Sequence, residues 1–333
     1  MKEHQSFESL PELKFDKNRN RVNLCPCGKD NRDGKFVPYI GYETAGYCHS
    51  CGETFLPQRP IDQRTAIGPP FSRKQISKPK SKIDFIPVEK FKSLLLAGKD
   101  LYGENHFFHW LGDPKRGEYA FDTKTINRLI DDYFLSNSIK YKGWVLFPYI
   151  DISGNVRDIK AIDYNPDTGK RISQKNGDTQ NRCYFIGKEI LGNTNANTER
   201  SFFGEHLLRG NNKPVRIFES EAAAVYAAPF FPESICVATG GKNGYKWTEQ
   251  TTSNILQGRK VILYPDIDGH EQWEQDAEKV RKYGIEVQVS QLLKNSAIKF
   301  AKEKGIEYSE LVKLKYDLRD FLQYHKLADF QIK

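Results

Sequence analysis

Long hydrophobic runs are missing from this chain of 333 residues. No apolar stretch approaches the roughly 18 residues of a membrane-crossing helix. The first residues, MKEHQSFESLPELKF, lack the apolar segment of a secretory signal. The expectation is a soluble, cytoplasmic protein with no membrane partner. Internal repeats are absent, so a stacked-repeat architecture is excluded. Cysteine is scarce: of six, Cys183 and Cys236 stand alone and the other four are clustered. A reducing cytoplasm argues against disulfides, and paired spacing argues for metal. The glycine-rich GGKNG (240–244) does not have the spacing of a P-loop.

What is present excludes wholesale disorder. Hydrophobic residues make up 38% and aromatics 13%, enough for real cores. The length predicts two or three domains. Basic residues number 51 against 43 acidic, a net charge of +8, and six of those eight charges fall in residues 57–82. That segment, PQRPIDQRTAIGPPFSRKQISKPKSK, has five prolines and few apolar residues, so it reads as an interdomain linker. It is either a solvated spacer or a polyanion contact.

The segment 83–210 begins with helical spacing at 88–99, 104–112 and 124–135, then turns to strands at 144–150, 155–164 and 183–187. Ser153-Gly154-Asn155 reads as the turn of a hairpin. From 211 to 333 strands and helices alternate: strands at 215–219, 234–239, 260–265 and 285–290, helices at 221–228, 270–284, 291–303, 309–315 and 318–325. This alternation predicts an α/β domain with a parallel sheet, whose ligands lie beyond the carboxyl ends of its strands.

Cys25-Pro-Cys27-Gly28 and Cys48-His-Ser-Cys51-Gly52 form two knuckles within residues 1–56. Four thiolates brought together in this way make a closed tetrahedral zinc site. The module is too small for a sufficient apolar core, so the metal would supply much of its folding energy. KFVPYIG and TAGYCHS between the knuckles read as a hairpin. His49 is an alternative ligand, although the cysteines already fill the shell.

Three acidic sets fall where strands are expected to end: Glu219, with Ser220-Glu221 opening a helix; Asp266 and Asp268 in PDIDG; and Asp317 with Asp320 in YDLRDFL. Residues 265–278 hold six acidic groups and no basic one. Gathered carboxylates repel one another unless a divalent ion joins them, and magnesium prefers oxygen ligands and bridges to phosphates. The competing explanation for Asp266-x-Asp268-Gly269 is a turn with a helix N-cap.

These motifs carry a resemblance. A Glu ending one strand and a D-x-D-G ending a later one look like the Toprim domain of primases and topoisomerases. The stretch WVLFPYIDISGNVRDIKAIDYN resembles the F-P-x-x-D-x-x-G element before Toprim in bacterial replicative primases, and FFGEHLL (202–208) resembles their Y-G-x-x-x-A helix start. A similar order of modules, zinc ribbon, linker, basic subdomain and Toprim, occurs there. The chain is also similar to zinc-ribbon plus Toprim proteins of bacterial mobile elements through Glu219-Ser-Glu-Ala-Ala-Ala224, Ala238-Thr-Gly-Gly-Lys-Asn-Gly244 and Gly258-Arg-Lys-Val-Ile-Leu-Tyr-Pro-Asp266. It departs from the replicative primases at Ser220, where they have Gly, at Ala222, where the related motif has Lys, and in its C-x-C first knuckle.

The resemblance implies an N-terminal zinc ribbon (1–56), a mixed α+β subdomain (83–210) and a Rossmann-like Toprim domain (211–333). It implies structural zinc on Cys25, Cys27, Cys48 and Cys51, and catalytic magnesium or manganese on Asp266 and Asp268. Glu219 would be general acid, general base or metal ligand, with Asp317 a further acidic position and Asp320 a weaker one. The activity implied is DNA primase-like nucleotidyl transfer, with single-stranded DNA and nucleoside triphosphates as partners and a separate replicative helicase as a candidate third. Arg157, Lys160, Lys170, Arg171 and Lys242 would face nucleic acid or nucleotide, and Tyr141, Trp144, Tyr164 and Tyr184 are either base-stacking or core residues. Two other classes stay open: a DNA-binding recruitment protein without catalysis, and a Toprim nuclease.

Overall fold

Residues 13–57, 82–172, 182–241, 244–313 and 317–322 are described by the structure, a computed structural model. Lys242 and nearly all of the basic segment 57–82 lie outside the described residues. The chain divides into two compact units, Met1–Lys78 and Pro79–Lys333. No described helix is long and apolar enough to cross a membrane.

In the first unit, strands β1 (Phe36–Pro38), β2 (Gly46–Cys48) and β3 (Thr54–Phe55) form an antiparallel sheet in that order. A Cβ at Gly46 would fall 2.2 Å from the Val37 carbonyl oxygen, so the β1–β2 crossing admits only glycine there. The buried Asn31 replaces a missing strand: its amide donates to the carbonyls of Arg19, Val22 and Phe36 and accepts from Phe36 N–H. The core is Phe36 packed on Cys25 and Cys48, with Val22 and Phe55 at its margin. So small a core cannot offset the ordering of its chain without a cross-link or metal.

The second unit opens with three helices. These are α1 (Val88–Lys99), α2 (His106–Gly112) and α3 (Thr123–Tyr133). Asn105 caps α2 by accepting from Phe107 and Phe108 N–H, and Asp122 caps α3 through Thr125 N–H. An antiparallel sheet follows, in the order β4 (Ser136–Asn137), β5 (Val145–Ile150), β6 (Val156–Ile162) and β7 (Cys183–Phe185). Every residue of β5 is buried, as is all of β6 except Arg157. Helices cover one face through Phe107, Phe147 and Tyr164, and a second cluster of Trp144, Leu146, Ile159 and Ala161 fills the other. Asp151 organises the β5–β6 turn. It accepts from Ser153 and Asn155 N–H and pairs with Arg157.

After the short α4 (Gly187–Leu191) comes a parallel sheet of β8 (Val215–Phe218), β9 (Ile235–Ala238), β10 (Val261–Tyr264) and β11 (Val287–Val289). Helices α5 (Glu221–Ala227), α6 (Gln250–Ser253), α7 (His270–Arg281), α8 (Leu292–Lys304), α9 (Tyr308–Lys313) and α10 (Leu318–Leu322) complete the unit. The strand order is β11-β10-β8-β9. Strand β8 continues to β9 on one side, and β10 continues to β11 on the other. The sheet therefore has its topological switch point between β8 and β10, where open α/β sheets hold their ligands.

Candidate functional site

Both strands that flank the switch point end in carboxylates. Glu219 follows β8 and Asp266 follows β10, which pairs with it in register from Val261↔Val215 to Tyr264↔Phe218. Glu219, Asp266 and Asp268 line a cleft of about 280 Å³, with Thr239, Gly241 and Tyr245 on its wall. Trp247 and Trp273 also line it, their ring centroids 6.1 Å apart. Sequence reasoning missed these aromatics, because nothing in their local pattern separates them from ordinary core positions.

The Asp266 carboxyl is held well above the usual carboxylate range. Burial is the largest cause, followed by the charges of Asp317 and Glu219 and, more weakly, Asp268; Arg319 opposes them. Asp266 therefore senses the charges of Asp317, Glu219 and Asp268. A carboxylate set that favours protonation over mutual repulsion also favours a divalent cation, and hard oxygen donors suit magnesium or manganese. The side chains converge without closing: among the described residues, only cysteines bring three ligand atoms within 4.8 Å of one another.

The ordinary explanation of Asp266-x-Asp268-Gly269 holds for the turn but not for the helix cap. The N-cap of α7 is Gly269, and no side chain caps that helix. Gly269 N–H closes the turn onto the Asp266 backbone carbonyl, which leaves both carboxylates out of the turn's hydrogen bonding. Helix α5 does have an ordinary cap, since Ser220 Oγ accepts from Ala223 N–H. This gives the serine at that position a local reason.

Asp317 is buried and paired. Arg319 Nη2 and Nε lie 2.6 Å and 2.9 Å from its Oδ2. Asp320 lies beside it, accepting from Asp317 N–H, and Lys170 Nζ is 3.4 Å from Asp320 Oδ1. Lys170 is thus brought to the border of the acidic group, with exposed Arg171 next to it. Arg157 is instead engaged by Asp151 at 2.7 Å, at the hairpin turn. Lys160 is 6% exposed and ion-paired with Glu221 at 2.8 Å, so it is no surface cation for nucleic acid. Of the four aromatics, Trp144 and Tyr164 are buried, and Tyr141, Trp144 and Tyr184 stack on one another with centroids 4.7–5.9 Å apart. These rings hold the sheet together.

The cysteine cluster lies in the first unit. Cys25 and Cys27 Sγ are 3.1 Å apart, and Cys27 and Cys48 Sγ 4.0 Å apart. These values straddle the separation of about 3.8 Å that tetrahedral zinc–thiolate geometry sets. Burial lifts the Cys25 thiol, whereas at Cys48 the N–H groups of Cys51 and Ser50 outweigh burial and lower it. Cys51, the fourth ligand expected from the sequence, is exposed and stands outside the group of three thiols whose sulfurs lie within 4.8 Å of one another. The donor chemistry fits zinc. His49 stands outside the cluster, edge-on to Tyr47 at 4.8 Å.

A family model described as a domain of unknown function, DUF6371, matches residues 105–267. No curated protein matches the chain. Solved structures similar to it include primases. The Aquifex aeolicus primase, in its zinc-binding and RNA polymerase domains, is 14% identical, with 69% of this chain and 60% of that one covered and a TM-score of 0.37. The primase fragment of the bacteriophage T7 primase-helicase protein is 14% identical over 84% of this chain and 98% of that one, TM-score 0.35. The DnaG primase catalytic domain bound to ssDNA is 15% identical over 70% and 82%, TM-score 0.37. At scores this low, function has to be read from the site.

Proposed function

We propose that the protein is a primase-like Toprim nucleotidyltransferase that uses single-stranded DNA and nucleoside triphosphates. The observation that supports this reading is that Glu219, Asp266 and Asp268 line one cleft beyond the two strands that flank the switch point of a parallel sheet, with the charge of Asp317 felt at Asp266. The motif resemblance supplies the substrate class, and the cysteine cluster supplies a place for the zinc of an N-terminal ribbon.

In this reading Asp266 and Asp268 hold magnesium or manganese, which would supply charge neutralisation for the triphosphate and its leaving group. Glu219, which lines the same cleft, would take the proton of an attacking 3′-hydroxyl or complete the metal shell. The new bond joins that oxygen to the α-phosphorus of the incoming nucleotide, and pyrophosphate departs with the bonding electrons. Most of the acceleration would come from alignment and charge placement. Arg319 restrains the repulsion among the carboxylates. Lys170 and Arg171 are candidates for phosphate contacts, and Lys242 is a further candidate on the motif resemblance alone.

The test is synthesis on single-stranded DNA with four ribonucleotides and magnesium, using the full chain alongside Asp266→Ala and Asp268→Ala. Ribonucleotide products that vanish in both variants support the reading. Strand cleavage in place of synthesis would assign a nuclease. DNA binding that survives both substitutions, with neither product from the wild type, would assign a recruitment protein.

A further inference from the structure

Lys160 stands on β6 of the antiparallel sheet, yet among the described residues the hydrogen bonds of its side chain go to the parallel-sheet half of the unit. Its Nζ lies 2.8 Å from Glu221 Oε1 and 3.1 Å from the Gly240 carbonyl oxygen. Glu221 is 1% exposed, and the same Oε1 accepts from the hydroxyl of Tyr149, itself fully buried on β5. Burial would lift the Glu221 carboxyl, but the neighbouring ammonium holds it below its ordinary value. A charged pair in so dry a place is a poor means of stabilisation, since apolar residues of like volume do as well. What it does supply is a fixed register between the elements it joins.

Those elements bear on the site. Glu221 is two residues beyond Glu219, at the start of α5. Gly240 opens the glycine loop after β9, and the next residue, Gly241, donates its N–H to the Glu219 carbonyl at 2.8 Å. Thr239 Oγ1 donates to the same carbonyl at 3.3 Å. Gly240 has φ +82°, and a Cβ there would fall 2.2 Å from the Tyr149 hydroxyl, so the loop is seated directly on the β5–β6 sheet. One ammonium thus grips the loop on one side of Glu219 and the helix start on the other.

We infer that Lys160 is a positioning residue, which sets Glu219 and the glycine loop in place against the metal-binding aspartates through Glu221 and the Gly240 carbonyl. The inference rests on the functional reading above for its consequence in catalysis, but the contact it describes can be measured separately.

The test uses the full chain with Lys160→Met combined with Glu221→Gln. This removes both charges together and avoids stranding a buried carboxylate, which could unfold the single variant. Hydrogen exchange and Mn2+ titration followed by electron paramagnetic resonance are compared with the wild type. The expected result is exchange at the Gly241 amide faster by about tenfold or more, with β8 and β10 still protected. Mn2+ affinity should fall about tenfold or more, as when an outer-shell support is lost. Unchanged Gly241 protection overturns the inference, as does loss of protection throughout both sheets. So does a loosened loop with Mn2+ affinity intact. If the wild type binds no Mn2+, the functional reading fails, and Gly241 exchange alone decides the role of Lys160.

Discussion

Arg319 turns back on Asp317, two residues before it, and places two nitrogens within 2.9 Å of one carboxylate oxygen. Its remaining terminal nitrogen donates to the Gly169 carbonyl at 3.0 Å, and its guanidinium lies 6.0 Å from the ring centres of both Trp110 and Tyr164. Arg319 therefore helps tie the short helix α10 to the antiparallel-sheet half, beside the Lys170–Asp320 pair. Arg319→Met would leave Asp317 buried beside Asp266 without its cation. Removing one partner of a buried pair costs about 3–5 kcal/mol. Urea unfolding should show a loss of that size. A loss under about 1 kcal/mol, the range of an exposed pair, would show that the pair is solvated.

Glu205 provides a pH dependence away from the acidic cleft. It is 3% exposed, and its oxygens accept from Ile152 and Phe202 N–H at 3.0 Å each. Burial pushes its carboxyl up from 4.5 to about 7, with the charge of Asp151 adding to the shift and the two N–H groups and Arg157 opposing it. The folded state thus holds this proton more tightly than the unfolded chain does. Between pH 4.5 and about 7 the folded state binds more protons, so this group's contribution to stability falls as pH rises through that window. Glu205→Gln cannot ionise. It should start below the wild type at pH 5, because one backbone N–H loses its acceptor, then gain on it as pH rises to about 7 and level off by about pH 8. Melting temperatures of the two proteins across this range would check the sign; a constant gap would refute it.

Much of this arrangement was legible beforehand, for identifiable reasons. Short apolar runs at β8, β9, β10 and β11 have no amphipathic alternative, and the acidic residues just beyond β8 and β10 were visible as the ends of those runs. The cysteine knuckles announce themselves by spacing. Lys160 did not, because a lysine in a polar hairpin reads as solvated, and its partner Glu221 is 61 residues away. Nor was the grip of Arg319 visible, because an arginine between two aspartates carries no sign of which carboxylate it will turn to. The two-residue strand β4 escapes any periodicity argument. It exists because β5 needs a neighbour at its edge, not because Ser136 and Asn137 favour a strand.

The cysteine cluster predicts a metal-dependent fold for the first unit alone. With Phe36 as its principal fully buried apolar residue, that unit has little else to hold it. Chelation of the full chain should unfold the N-terminal unit and leave the melting of the second unit unchanged. Cobalt substitution should give the intense visible bands of tetrahedral thiolate coordination. Cys48→Ser should abolish them, because Cys48 is the buried member of the second knuckle. Metal content well below one ion per chain in freshly purified protein would remove the zinc assignment.

The uneven charge makes the last prediction. Six of the eight net positive charges lie in residues 57–82, between the cysteine cluster and a body whose residues 191–333 carry twenty basic and nineteen acidic groups. If that segment lies along single-stranded DNA, each phosphate it neutralises releases counterions and adds about 0.7 to the slope of log affinity against log salt. Replacing 57–82 by a Gly/Ser spacer of equal length should then flatten the slope by about 2–4 and weaken binding at low salt. Mn2+ binding at the acidic cleft should be untouched, since none of its residues is altered. Fluorescence anisotropy with a labelled oligonucleotide from low to moderate salt measures this directly. Equal slopes for the two proteins would mean that the segment is a spacer, and that DNA is held by the folded units alone.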